Sequence, residues 1–244
     1  MLTCLAVSPL EELALLLRPA GGGLYLVSTG RAEQEALQRR LYGANTDAEV
    51  KGRFEETLAR IAQAKAFVLG VPSDVGAGFR RGANLGPQAI RTTYLEAHPG
   101  SWPEGVIDIG DVFVVPQLLH DEMLSEAQKE RSRNALYPNV AAAERKALPV
   151  SPLSIAERAL DLVFALNPTI APIVLGGDHS TAWPVASALS RARKNERWGI
   201  VQPDAHTDLL EERLGITIED DEVEAEMLES YGALLSFAKA KSLQ

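Results

Sequence analysis

A chain of 244 residues with 46% apolar and 23% charged residues has the make-up of a globular protein of one large or two small domains, able to bury a sizeable core. Its one cysteine, Cys4, excludes an intramolecular disulfide framework, a zinc ribbon and an iron–sulfur cluster, and no apolar run approaches the roughly 20 residues of a membrane span. The formal charge is −9, but residues 211–230 alone hold nine acids against Arg213, so the rest is near neutral and offers no basic track for a nucleic-acid backbone.

The first 17 residues are apolar in places, yet Glu11 and Glu12 interrupt them and no basic residue precedes them. That is not the layout of a signal peptide, and it points to a cytoplasmic protein. A strand is expected at 24–27, then amphipathic helices at 31–41 and 50–64, where apolar residues recur at three- and four-residue spacing. A strand at 66–71 leads to a helix at 88–97 with Pro87 in its first turn, and a third strand follows at 106–109. Residues 112–152 carry many charges and few strand signals, and read as a helical excursion with loops. Ser154 and Glu157 have the spacing of a capping box opening a helix at 155–166. A strand at 172–175, a helix at 181–193 and a strand at 198–201 complete the alternation, after which the chain turns acidic and helix-prone.

The strands are short, rich in Val, Ile and Leu, and scarcely alternate, as strands do when both faces are buried. Strands alternating with helices give an α/β fold, a three-layer α/β/α sandwich on a mostly parallel sheet, incomplete towards the C-terminus. The domain expectation is an α/β domain at 1–216 and an acidic helical tail at 217–244.

Two segments carry the chemistry, each where a strand gives way to a loop: Gly176-Gly177-Asp178-His179-Ser180 and Asp204-Ala205-His206-Thr207-Asp208. Ligands in open parallel sheets bind at the carboxyl ends of strands. Asp204, His206 and Asp208 are spaced by two, so an extended backbone turns all three to one side. Two carboxylates so close repel unless a divalent cation neutralises them, and His179 adds a second imidazole from the neighbouring loop. Hard carboxylates and imidazoles without thiolate favour manganese, with iron, cobalt or zinc as alternatives. The plainer reading of the second segment alone is a turn with satisfied hydrogen bonds. His98 and His120 have no ligand-like spacing and read as structural or solvent-exposed.

These residues carry a family resemblance. The two segments resemble the first two signature motifs of the ureohydrolases, the arginase, agmatinase and formimidoylglutamase family. The stretches Gly70-Val71-Pro72-Ser73-Asp74, Arg81-Gly82-Ala83-Asn84-Leu85-Gly86-Pro87 and Val106-Ile107-Asp108-Ile109-Gly110-Asp111 resemble that family's upstream segments, in the same order. The resemblance implies an arginase-like fold and two manganese ions, with His179 and Asp208 on one, His206 on the other and Asp204 bridging both. It further implies hydroxide held at Asp204 attacking the planar carbon of a small guanidino or amidino substrate, with urea or formamide and an amine as products. Such a carbon is a poor electrophile, which is why water must be activated at neutral pH. Homo-oligomers, trimers or hexamers, are implied as well.

The chain departs from the pattern in one respect. The family takes two more ligands from a later Ser-x-Asp-x-Asp motif, and no such pattern and no further His occur after Asp208. Adjacent Asp220 and Asp221 diverge by about 100° on a helix and suit a solvated acidic face better than an ion. A catalytically impaired, metal-binding domain of the same family is therefore the first alternative. A binuclear metallophosphoesterase is a more distant one, since the order of the Gly-Asp-His and Asp-Ala-His segments is reversed and no Gly-Asn-His follows. The glycine-rich loop 76–82 lacks the spacing of a dinucleotide fingerprint and reads as a loop at the mouth of the site, with Arg80, Arg81 and Asn84 as candidates for a substrate carboxylate.

Overall fold

The computed structural model describes residues 8–24, 30–77, 81–98, 102–201, 203, 212–213 and 216–217. Two units are delimited, 1–192 and 193–244. The first holds a sheet of β1 (Leu17–Arg18), β2 (Ala66–Val71), β3 (Val106–Val112) and β4 (Ala171–Gly176), in the order β1-β3-β2-β4. The central strand β2 runs parallel to both β3 and β4, and β1 lies antiparallel on β3. Leu24 adds a single parallel bridge to Val114, and the rest of the strand expected at 24–27 lies outside the described residues.

Helices α1 (Pro9–Leu16), α2 (Arg31–Tyr42), α3 (Asp47–Ala59), α4 (Gly86–Ala97), α5 (Glu126–Leu136), α6 (Ala142–Arg145), α7 (Pro152–Leu166) and α8 (Ala182–Ala192) surround the sheet. Phe67, Leu69 and Val71 of β2 and Ile107 and Ile109 of β3 are buried in one cluster with Leu13 and Leu16 of α1 and with Ile155, Ala159 and Val163 of α7. The alternate positions Gly70 and Asp108 point the other way and meet Arg91 of α4. Helices thus cover both faces, which is why the strands scarcely alternate in sequence. Each large apolar side chain so buried stabilises the fold by about 1.5–3 kcal/mol.

Arg91 is fully buried, and its charge is matched by two carboxylates of β3. It donates to Asp108 at 2.8 and 2.9 Å, to Asp111 at 2.5 Å and to the Gly110 carbonyl at 2.9 Å. Residues 108 and 111 of a regular strand would face opposite sides. The pairing of β2 with β3 slips between Val68 and Gly70, and Gly110 sits at φ +83°, so one residue is bulged out and both carboxylates reach the same guanidinium. Burial by itself would pull the Arg91 pKa down, but Asp108 and Asp111 more than offset it and hold the group charged. Gly70 leaves the room: a Cβ there would overlap Asp111.

Local signals account for most helix ends. Ser8 with Glu11 and Thr46 with Glu49 form capping boxes that open α1 and α3. The sequence reading missed α1, because Glu12 looked like an interruption of an apolar run; it is buried and paired with Arg158 of α7 at 2.6 and 2.8 Å. The capping box expected at Ser154 and Glu157 does not form. The helix begins one turn earlier, with Ser151 at the N-cap and Pro152 in the first turn, and the amides of the buried Val150 and Ser151 bond to the Asp121 carboxylate. Ser154 instead accepts from the Asp121 amide. The excursion at 112–152 holds α5, α6 and a 3-10 turn at Asp121–Met123, as anticipated. α3 starts at Asp47 rather than Val50 and gives way to a 3-10 turn at Ile61–Gln63.

In the second unit, β5 (Glu212–Arg213) and β6 (Ile216–Thr217) pair antiparallel. The strand expected at 198–201 is absent: these residues have no regular structure and Val201 is 92% exposed. An apolar run becomes a strand only beside a backbone that accepts its ladder, and none pairs with this run among the described residues. No described helix is long and apolar enough to cross a membrane.

Candidate functional site

β2 and β4 end side by side, Val71 opposite Gly176, and the loops that follow them are bonded to each other. The Gly177 amide donates to the Val71 carbonyl at 3.0 Å and the Asp178 amide to the Ser73 carbonyl at 2.9 Å. This close approach explains the paired glycines of the Gly-Gly-Asp-His-Ser segment. A Cβ on Gly177 would overlap the Ser73 carbonyl, and one on Gly176 would overlap Thr181 Oγ1.

Asp178 organises the turn. Its Oδ1 accepts from the Ser180 amide at 2.9 Å and the Ser180 hydroxyl at 2.5 Å, and its carbonyl accepts from Thr181 Oγ1 at 2.8 Å. These bonds set the 3-10 turn His179–Thr181 at the carboxyl end of β4, from which α8 departs. His179, the first predicted ligand, therefore lies on the rim of the sheet where parallel-sheet ligands bind. The 3-10 turn Val75–Ala77 packs beside it: a Cβ on Gly76 would stand 3.2 Å from Asp178 Oδ2.

Two acceptors at this junction stay open. Asp178 Oδ2 and Ser73 Oγ are buried and make no hydrogen bond among the described residues. Neither was singled out from the sequence; the only signal was that Gly-Gly precedes Asp178, and it became legible once Ser73 was seen against Gly177. Buried polar atoms without partners are uncommon and mark sites where a ligand or water completes the shell.

The other three predicted ligands, Asp204, His206 and Asp208, lie outside the described residues, and no group of three or more His, Cys, Asp or Glu able to hold a metal occurs among the described ones. The described donors, an imidazole and an open carboxylate oxygen one residue apart, fit a borderline divalent cation as far as they extend. Arg81 is exposed and bonds the Asp74 carbonyl, and the Asp74 carboxylate accepts the Gly82 amide at 2.8 Å, so this pair shapes the loop. Arg80 lies outside the described residues. Away from the site, His120 caps a 3-10 turn through Nδ1, and exposed His98 stacks on Tyr94.

The arginase family model matches residues 64–218, more than half of the chain and inclusive of both motif segments. The chain is 35% identical over 142 residues to an arginase of Brevibacillus brevis, covering 58% of this chain and 40% of that protein. It is 32% identical over 158 residues to a mitochondrial agmatinase of Gallus gallus (62% and 36%), and 28% identical over 159 residues to a guanidinobutyrase of Pseudomonas aeruginosa (62% and 39%). The chain thus spans about two fifths of the length of the relatives it matches. Its upstream segments, its parallel sheet and its Gly-Gly-Asp-His-Ser turn agree with that match, and the chain belongs to the arginase family.

Proposed function

We propose that this chain is a manganese-dependent hydrolase of carbon–nitrogen bonds in small guanidino or amidino compounds, acting in the cytoplasm as a trimer or hexamer. In this reading residues 1–216 form the hydrolase domain and 217–244 an acidic appendage. The observation that carries it is the family match over 64–218, which takes in His179 and the Asp204, His206 and Asp208 segment in the family's order. The names of the relatives, arginase, agmatinase and guanidinobutyrase, all point to guanidino compounds, which supports that substrate class without choosing a member.

His179 and Asp208 would hold one ion, His206 the other, and Asp204 would bridge them. When bound, paired divalent cations supply a hydroxide equivalent at neutral pH, which a resonance-stabilised guanidinium requires. The chain's own part is positional. The Asp178–Ser180 bonds and the Gly177–Val71 contact hold His179 at the end of β4, and the 3-10 turn at Val75–Ala77 closes one side of the same junction.

A second reading is a domain of the same family that binds metal without turnover. A screen of the manganese-loaded chain against arginine, agmatine, guanidinobutyrate and formimidoylglutamate, with metal counted per chain, separates the two. The hydrolase reading expects two ions, urea or formamide release, and a loss of about 100-fold or more in Asp204→Ala. One weakly held ion with no turnover establishes the second reading, and turnover unchanged in Asp204→Ala removes the first.

A further inference from the structure

The opposite end of the sheet carries a cavity outside the candidate site. A cavity of about 440 Å³ opens at the amino end of β3, roughly 20 Å from His179 by the length of the parallel strands. Leu41, Tyr42, Thr57 and the buried Ile107 line it, and Trp102 forms a fixed aromatic wall. The indole is held in place: its ring stacks on Tyr94 at 4.3 Å between centroids, and Nε1 donates to Asp108 at 3.1 Å. Asp108 is itself neutralised by Arg91, so it adds no open charge to the cavity.

Two charges remain on the rim. Arg60 ends α3 and Glu104 precedes β3; both line the cavity and both are exposed. Among the described residues neither pairs with an opposite charge, nor do they pair with each other, although exposed Arg and Glu elsewhere in the fold form pairs such as Arg31–Glu35 and Arg53–Glu56. A cation and an anion on the lining of one aromatic-walled cavity complement a ligand that carries both charges.

We propose that this cavity binds a free α-amino acid, with its carboxylate on Arg60, its ammonium on Glu104 and an apolar or aromatic side chain against Trp102. A singly charged ligand would leave one rim charge unmatched, whereas a zwitterion satisfies both. The volume exceeds that of a mid-sized amino acid, leaving space for hydrating water.

The test is calorimetric titration of the full, metal-free chain with L-phenylalanine, N-acetyl-L-phenylalanine and L-phenylalaninamide. L-Phenylalanine binds the parent, and masking either its amine or its carboxylate weakens binding about tenfold. Glu104→Gln weakens L-phenylalanine binding by a similar factor and abolishes the sensitivity to acetylation; Arg60→Gln does the same for amidation. Because both side chains are exposed, the variants keep the parent's circular dichroism. Absence of L-phenylalanine binding, or equal affinity in the parent and both variants, overturns the assignment. The metal-free readout and the untouched Asp204 keep this result separate from the hydrolase screen.

Discussion

Gly177 shows what a single residue contributes to the candidate site. The loops after β2 and β4 approach until the Gly177 Cα faces the Ser73 backbone, and only a hydrogen fits there. Gly177→Ala forces backbone against backbone, which no rotamer change relieves, and is expected to destabilise the chain by about 3 kcal/mol. Gly52 is the opposite case: it lies inside α3, with nothing within 4 Å of where a Cβ would sit. Gly52→Ala is expected to stabilise by about 1 kcal/mol through helix propensity. Denaturant titration of the two variants reads both signs. If Gly177→Ala unfolds like the parent, the close approach of the two loops is wrong.

At the scale of elements, the ends of helices are governed by a few exposed carboxylates. Glu49 accepts the amides of Asn45 and Thr46, and these bonds hold its pKa below the ordinary glutamate value of 4.5; the Ser8 amide and hydroxyl do the same for Glu11. A depressed folded pKa gives stability that is present above the unfolded value and is lost as pH falls through the folded one. Thermal midpoints of the parent are therefore expected to drop as pH is lowered from about 4.5, and the drop should be shallower in a Glu11→Gln, Glu49→Gln double variant. Equal slopes in the two proteins would show that the capping carboxylates do not govern acid sensitivity. α7 illustrates a limit of local signals: Ser154 and Glu157 have capping-box spacing, but the helix starts one turn earlier, and Asp121, 30 residues before Ser151, holds the amides of Val150 and Ser151 just ahead of it.

Over the whole molecule, stability is concentrated around β2. It is bonded on both sides, and Phe67, Val68, Leu69 and Val71 are fully buried. Native-state hydrogen exchange is expected to be slowest at the amides of 67–71 and faster in α5, whose residues include no buried one. Uniform protection across β2 and α5 would contradict this distribution. Such an arrangement puts rigid strands underneath and leaves the candidate site to the loops at their ends.

The amino-acid sequence alone determined the alternation of strands and helices, the mostly parallel sheet, and the loop after β4 that carries His179, because periodicity, paired glycines and residue spacing are local properties. Tertiary structure decided which local signals prevail. It buried Glu12 against Arg158, tied the residues just before α7 to Asp121, and bulged β3 so that Asp108 and Asp111 share Arg91. It also left 198–201 outside any strand and set Ser73 under Gly177. Each of these depends on a partner distant in the chain, and the desolvation and steric costs that select such partners exist only once the layers have packed.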